Sequence, residues 1–430
     1  PGLYVGGQQV DIWEDMLLVA GERHARIYQF DMITGGVSYM KNVAPLTVGN
    51  YGFNPTSLDG GKAFVGSRSD RVDGVEGAGI VRILKPDAEG IWERSQTLAE
   101  PVTPKSGGFG DRVAVSGNLM LTRVRPSNTG KGKVQAYVTE PDARFVQEFS
   151  ASDGVVNDDF GAAMVIQGNE AIISAPGQGP WSSTQPYRLP CLYAFTRSTA
   201  TGLWTQSQKI VIPGAISNYP YSAGNMLTAF GNTFVINDYA RSQLMVFKKN
   251  TENGHWAHAS NIALASFGGQ IVSSISLASE NLLLVGDINV GRGVWGQGGV
   301  HCLRYQGSAW VAGPLIAPVN AEYSSFGQSI ATEGGWLLAG GEGHPQAWIF
   351  HIDSQANRRP RFVRNVPTQV RWDQAISLSI RAEDADGNDG LAFSLLQAPA
   401  WLRLTDHGAG VATLSGTPAR GPGDLSMVQL

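Results

Sequence analysis

The chain has 430 residues, 42% of them apolar and 16% charged, with a net charge of −4 and acids and bases interspersed, so no basic stripe is available to follow a nucleic-acid backbone. No apolar run approaches the roughly 20 residues that cross a bilayer, and Asp11, Glu14 and Asp15 sit where a signal peptide would be apolar, which predicts a soluble stretch excerpted or processed from a longer chain. The 54 glycines, nearly double the roughly 7% of an average protein, predict many tight turns and few helices, and the length predicts two domains.

From the first residues onward one template recurs: a Phe-Gly or similar pair, an apolar strand, a Gly-Asn-like turn and a second apolar strand. Phe160–Pro176 is its clearest copy, and related copies begin at Gly6, Tyr51, Phe109, Tyr221, Phe267 and Phe326. Within the copy at Phe109, Val113 and Val115 alternate with Arg112 and Ala114 before Gly117-Asn118 reverses the chain, as a hairpin requires. A third strand is predicted after each hairpin, over 26–30, 80–84, 134–138, 192–195, 244–247, 300–303 and 347–350. A fourth is marked by an aromatic followed six residues later by an aliphatic: Trp92/Leu98, Trp204/Ile210, Trp256/Ile262 and Trp310/Ile316. On a regular strand that spacing puts both side chains on one face. Seven copies of four strands predict an all-β fold, a seven-bladed β-propeller over residues 1–352. The last copy shows three strands, and Leu3–Val5, or residues upstream, are expected to supply its fourth.

Phe160-Gly161, Ile172-Ile173-Ser174-Ala175-Pro176 and the strand from Trp204 to Ile210 resemble the FG-GAP repeats of integrin α-subunit propellers and bacterial surface proteins. The family's calcium loops replace the hairpin turn with Asp-x-Asp-x-Asp-Gly, and none of the propeller turns here carries that pattern. The acidic residues before Phe160 (Asp153, Asn157, Asp158 and Asp159) raise the same question more weakly.

Loops between second and third strands are the longest, and propeller geometry opens them all on one face. They carry Arg125, Trp181, Tyr187, Arg292 and Trp295, a mixture of guanidinium and aromatic groups typical of recognition surfaces, which makes these five the expected ligand-binding residues. Cys191 and Cys302 fall on third strands two repeats apart, too far to join. The seven histidines are scattered, and the chain has no Gly-x-Ser-x-Gly elbow, phosphate-binding loop or Cys-x-x-Cys. Propeller glycosidases and lyases assemble carboxylates from separate blades and carry no such local motif.

After Ile352 a polar linker, 353–359, precedes a second β domain over 360–430, predicted as a β-sandwich cut short at its end. Ile376, Leu378 and Ile380 alternate as a half-buried strand, and Trp401 is its expected anchor. Together with Ala398-Pro399-Ala400-Trp401-Leu402 and Leu414-Ser415-Gly416-Thr417-Pro418, these residues resemble cadherin-like, dystroglycan-type immunoglobulin-fold modules. Glu383 with Asp384, Asp386, Asn388 and Asp389 could ligate calcium, as related modules do at their junctions, although Asp-x-Asp-Gly is also an ordinary turn.

The two resemblances imply an extracellular or cell-surface binding and adhesion protein that is not an enzyme, its loop face meeting a protein or glycan partner and its cadherin-like modules acting as spacers. The alternatives are a polysaccharide-active propeller enzyme, glycosidase or lyase, with carboxylates at the channel mouth, or a sugar-binding lectin.

Overall fold

The computed structural model describes residues 9–21, 25–31, 36–43, 55–87, 89–101, 107–125, 131–156, 158–177, 189–214, 223–269, 271–290, 297–318, 325–341, 347–352, 361–362, 373–383, 391, 393, 395 and 398–418. The chain divides into two compact units, Pro1–Ile352 and Asp353–Leu430. Among the described residues the first unit holds seven antiparallel sheets, six of four strands and the last of three, each in chain order apart from direction. We number them sheets 1 to 7. Their first strands are Gln9–Trp13, Thr56–Asp59, Phe109–Ser116, Met164–Gln167, Ala223–Phe230, Val272–Ser279 and Ser329–Glu333. Each packs beside the first strand of the next sheet, and the strand of sheet 7 returns to that of sheet 1, so the first strands surround a common axis.

The hairpins form because the turn residues accept positive φ: Gly117, Gly168, Gly231 and Gly334 lie between 53° and 57°, and Glu14 takes the same conformation at 49°. The second strands are buried along all or all but the first residue of their length, as Leu119–Val124 and Leu282–Asp287 illustrate, because a neighbouring sheet covers each face. Seven apolar clusters result, each shared by two adjacent sheets. The ring closes through Val10, Ile12, Leu17, Val19 and Phe30 of sheet 1 against Ala331, Leu338 and Ala347 of sheet 7. At that seam Val10 N donates to Ser329 Oγ at 3.0 Å, and Phe30 meets Trp336 edge-on with ring centroids 4.7 Å apart.

Every expected third strand lies within an observed one, for instance Lys133–Val138 and Cys191–Arg197. The fourth strands correct one expectation. Trp92 packs in the cluster between sheets 1 and 2, whereas Leu98 packs in the one between sheets 2 and 3. Likewise Trp204 faces sheet 3 and Ile210 faces sheet 5. A β-bulge lies between the two members, where the register slips at Ile83/Leu84 and at Ala194/Phe195, and one inserted residue reverses the alternation. The aromatic and the aliphatic therefore occupy opposite faces, and each outer strand joins two cores. The fourth pair is weaker, with Trp310 and Ile316 only half-buried on a largely exposed strand, Ala309–Ile316.

A carboxamide reinforces the same junctions. Gln208 Nε2 donates to Trp256 O and Gln208 Oε1 accepts from Trp256 N, both at 2.8 Å, and Gln96 and Gln147 make the matching pairs with Ala143 and Trp204. Leu3–Val5, expected to complete sheet 7, lie outside the described residues.

The second unit contains a four-stranded sheet in the order Arg361–Phe362, Ile376–Glu383, Val411–Gly416, Arg403–Gly408. Ile380, Leu402, Ala412 and Leu414 form its buried centre, with Ile376, Leu378 and Trp401 packed around it.

Candidate functional site

Second strands end, and first strands begin, on the face that carries the long loops. There, sheets 2 to 4 bring together an unusual set of charges. At the fifth residue of the second strand six sheets carry a compact side chain: Ala20, Gly66, Ser174, Asn237, Gly286 and Gly340. Sheet 3 has Arg123, only 3% exposed. Gly161 of sheet 4 makes room for it, since a Cβ there would lie 3.0 Å from Arg123 Cγ.

Arg123 Nη1 donates to Asp111 Oδ2 at 3.0 Å, and its Nη2 donates to Asp159 Oδ1. Arg68, from the loop after the second strand of sheet 2, donates Nη1 to Asp111 Oδ1 at 2.9 Å. Asp111 and Asp159 are 2% and 4% exposed, and Asp159 holds a left-handed backbone, φ 57°, just before the buried Phe160. Arg112, next along the first strand of sheet 3, is solvent-exposed although protein surrounds it. Burial by itself would raise the Asp111 carboxyl, but the guanidiniums of Arg112, Arg123 and Arg68 overcome it and hold Asp111 below the usual carboxylate range. Burial lowers Arg112 from the ordinary guanidinium value; Asp111 opposes this, while the positive charges of Arg123 and Arg68 add to it. A second buried pair sits alongside in sheet 2, with Arg82 Nη2 2.7 Å from Asp70 Oδ2 and Ser67 Oγ donating to Asp70 Oδ1 at 2.8 Å.

Of the expected ligand-binding residues, Arg125 is described. It is exposed and stands over Gly108, where a Cβ would come within 2.7 Å of Arg125 Cβ, so it borders the cluster. Trp181, Tyr187, Arg292 and Trp295 lie outside the described residues, as do Asp384, Asp386, Asn388 and Asp389, the expected calcium ligands. Of the residues before Phe160, Asn157 lies outside the described residues, and the others have protein partners. Asp158 accepts backbone N–H groups of Gly132, Val155 and Phe160, and Asp153 accepts from Tyr193 and Lys209. Among the described residues no group of three or more His, Cys, Asp or Glu could hold a metal ion. Cys191 and Cys302 form no disulfide. Arg68, Asp111, Arg112 and Arg123 were not singled out from the sequence; aligning the seven second strands column by column would have exposed Arg123.

Within the cluster, among the described residues, the accessible groups are guanidiniums, and the carboxylates of Asp111 and Asp159 fix their positions. Chemically it can bind negative charge or polarise an oxygen. A separate cavity of about 240 Å³ lies between sheets 4 and 5 on the hairpin-turn side, where Lys249 is already paired with Glu170.

No protein-family model matches the chain, and neither does any curated protein. Among solved structures the chain is similar to a periplasmic gluconolactonase of Pseudomonas aeruginosa (16% identity, TM-score 0.49, covering 74% of this chain and 86% of that one). It is also similar to a Bacteroides uniformis protein provisionally named a 6-phosphogluconolactonase (12%, 0.49, 74% and 89%) and to the β-propeller domain of the Trilobed protease of Pyrococcus furiosus (10%, 0.46, 83% and 97%). At these identities the likeness is one of fold, and with the closed ring of sheets the first unit is a β-propeller. The expectation of a non-enzymatic adhesion protein is corrected here: the solved structures of this fold reported above include proteins named as lactonases, and none of those names is that of an adhesion protein.

Proposed function

We propose that residues 1–352 are a seven-bladed propeller enzyme that acts on a small carbohydrate-derived substrate at the arginine-lined mouth of sheets 2 to 4. The observation that carries this reading is Arg123, a buried cation in a column where the fold uses compact residues, held by two carboxylates that it does not need for packing. Burying such charges is expensive, and groups that break the local rule of a fold concentrate at functional sites. Arg68, Arg112 and Arg125 supply the donors that would hold the substrate and polarise a reacting oxygen, and Asp111 and Asp159 hold the guanidiniums in place. Residues 360–430 are proposed as an immunoglobulin-like sandwich of the cadherin type, joined through 353–359.

A lectin is the second reading. It is favoured by Asp111, whose lowered carboxyl is ill-suited to act as a general acid. Incubating the purified chain with aldonolactones, glycosides and uronate-containing polysaccharides, with product analysis, separates the two. Turnover that disappears on Arg112→Gln supports the enzyme. Sugar-dependent thermal stabilisation without product supports the lectin, and neither response from any sugar would reject both.

A further inference from the structure

Arg112 differs from its neighbours in how its charge is met. Arg68 and Arg123 donate to carboxylates. Arg112 donates Nε to Ala162 O at 3.0 Å and Nη1 to its neighbour's backbone, Asp111 O, at 2.8 Å. Both acceptors are carbonyls, which satisfy the N–H geometry and carry no net charge. Its Nη2 has no acceptor among the described residues. The buried Nε of Arg123 also lacks one among the described residues. Among the described residues three guanidiniums, those of Arg68, Arg112 and Arg123, converge on the carboxylates of Asp111 and Asp159; Asp158, which accepts from backbone N–H groups, keeps its charge but is not among the charges that act on Arg112. The surplus positive charge thus falls on the one guanidinium of the three that lies on an innermost strand and faces solvent.

The two carbonyls also fix the plane of the Arg112 guanidinium, so a ligand would find it preorganised and little side-chain entropy would be lost on binding. We infer that Arg112 receives the anionic group of a small ligand entering along the ring axis, a carboxylate or a phosphate, with Nη2 as the donor presented to it. This deepens the reading above and rests on it for the place where the ligand enters: the substrate class becomes sugar acids or sugar phosphates instead of neutral sugars. An anion there would receive a charge-assisted hydrogen bond in a site partly shielded from water, where such bonds are strong.

The test is calorimetric titration of the full chain with gluconate, inorganic phosphate and glucose. At least one of the anions should bind and glucose should not, and which anion binds distinguishes a carboxylate from a phosphate. Arg112→Gln should weaken anion binding by about tenfold or more, the loss of one hydrogen bond to a charged group, while Arg94→Gln, at an exposed arginine on the outer strand of sheet 2, leaves it unchanged. Binding of the anion by folded Arg112→Gln as tightly as by the wild type, equal binding of glucose, or no binding of either anion at millimolar concentration would overturn the inference. Should Arg112→Gln not fold, phenylglyoxal modification of the wild type followed by peptide mapping decides: the bound anion must protect Arg112 and leave Arg94 reactive, and absence of that protection refutes the inference. Anion binding at Arg112 without turnover of any sugar would remove the enzymatic reading alone. Turnover indifferent to Arg112→Gln would remove this inference alone.

Discussion

Replacing Asp111 by alanine should be among the most damaging single changes in the propeller. The carboxylate is 2% exposed and takes hydrogen bonds from Arg68 and Arg123. With it gone, Arg68, whose side chain is 26% exposed, can turn toward water. Arg123 cannot: it is 3% exposed and keeps Asp159 as its one carboxylate, while Arg112 loses its largest favourable charge. Stranding a buried cation in this way costs about 3–5 kcal/mol. The reverse follows for joint removal: Asp111→Asn, Asp159→Asn and Arg123→Ser together return sheet 3 to the compact pattern of its neighbours, and the triple variant should lose less stability than Asp111→Ala alone. Urea unfolding of the full chain, followed by tryptophan fluorescence and circular dichroism, measures both through the midpoint at constant slope. Because the pairs are buried, the loss in Asp111→Ala should persist at high salt, which would erase a surface ion pair. A loss below about 1 kcal/mol, or a triple variant less stable than the single, would refute the claim that the arginine is held by a buried charge balance.

Gly79 and Gly74 have nearly the same φ, 83° and 85°, but a Cβ on Gly79 would lie 2.0 Å from Phe109 O, whereas one on Gly74 meets nothing within 4 Å. Gly74→Ala should therefore cost about 1–2 kcal/mol, the strain of a left-handed alanine, and Gly79→Ala clearly more, as paired thermal melts would show. Gln208→Ala removes two 2.8 Å bonds to the backbone of Trp256 and should destabilise by about 1–3 kcal/mol in denaturant titration. Burial pushes the Asp11 carboxyl up to about 7, against the N–H bonds from Leu58 and Ile12. The unfolded group titrates near 3.9, so the folded chain holds the extra proton between about pH 4 and 7, and stability should fall across that window by at most about 4 kcal/mol and level off above it. In Asp11→Asn this contribution to the pH slope should vanish, and an unchanged slope would show that Asp11 is not its source.

The strands and turns of this protein are set by short-range physics. Two-residue alternation, glycine where φ is positive and a six-residue aromatic–aliphatic repeat all act within one hairpin, and they mark the four-stranded units and the position of every third strand without coordinates. Side-chain facing on the outer strands was beyond that reach, because the bulge that separates Trp204 from Ile210 arises only when the strand is laid on its partner. The closing seam between Val10 and Ser329 joins residues 319 apart, and no local pattern encodes it. The arginine cluster belongs to the same category. Arg68, Asp111, Arg123 and Asp159 come from three successive sheets, each looks like an ordinary surface residue in its own segment, and only the stacking of sheet on sheet removes them from water and makes their charges answer to one another.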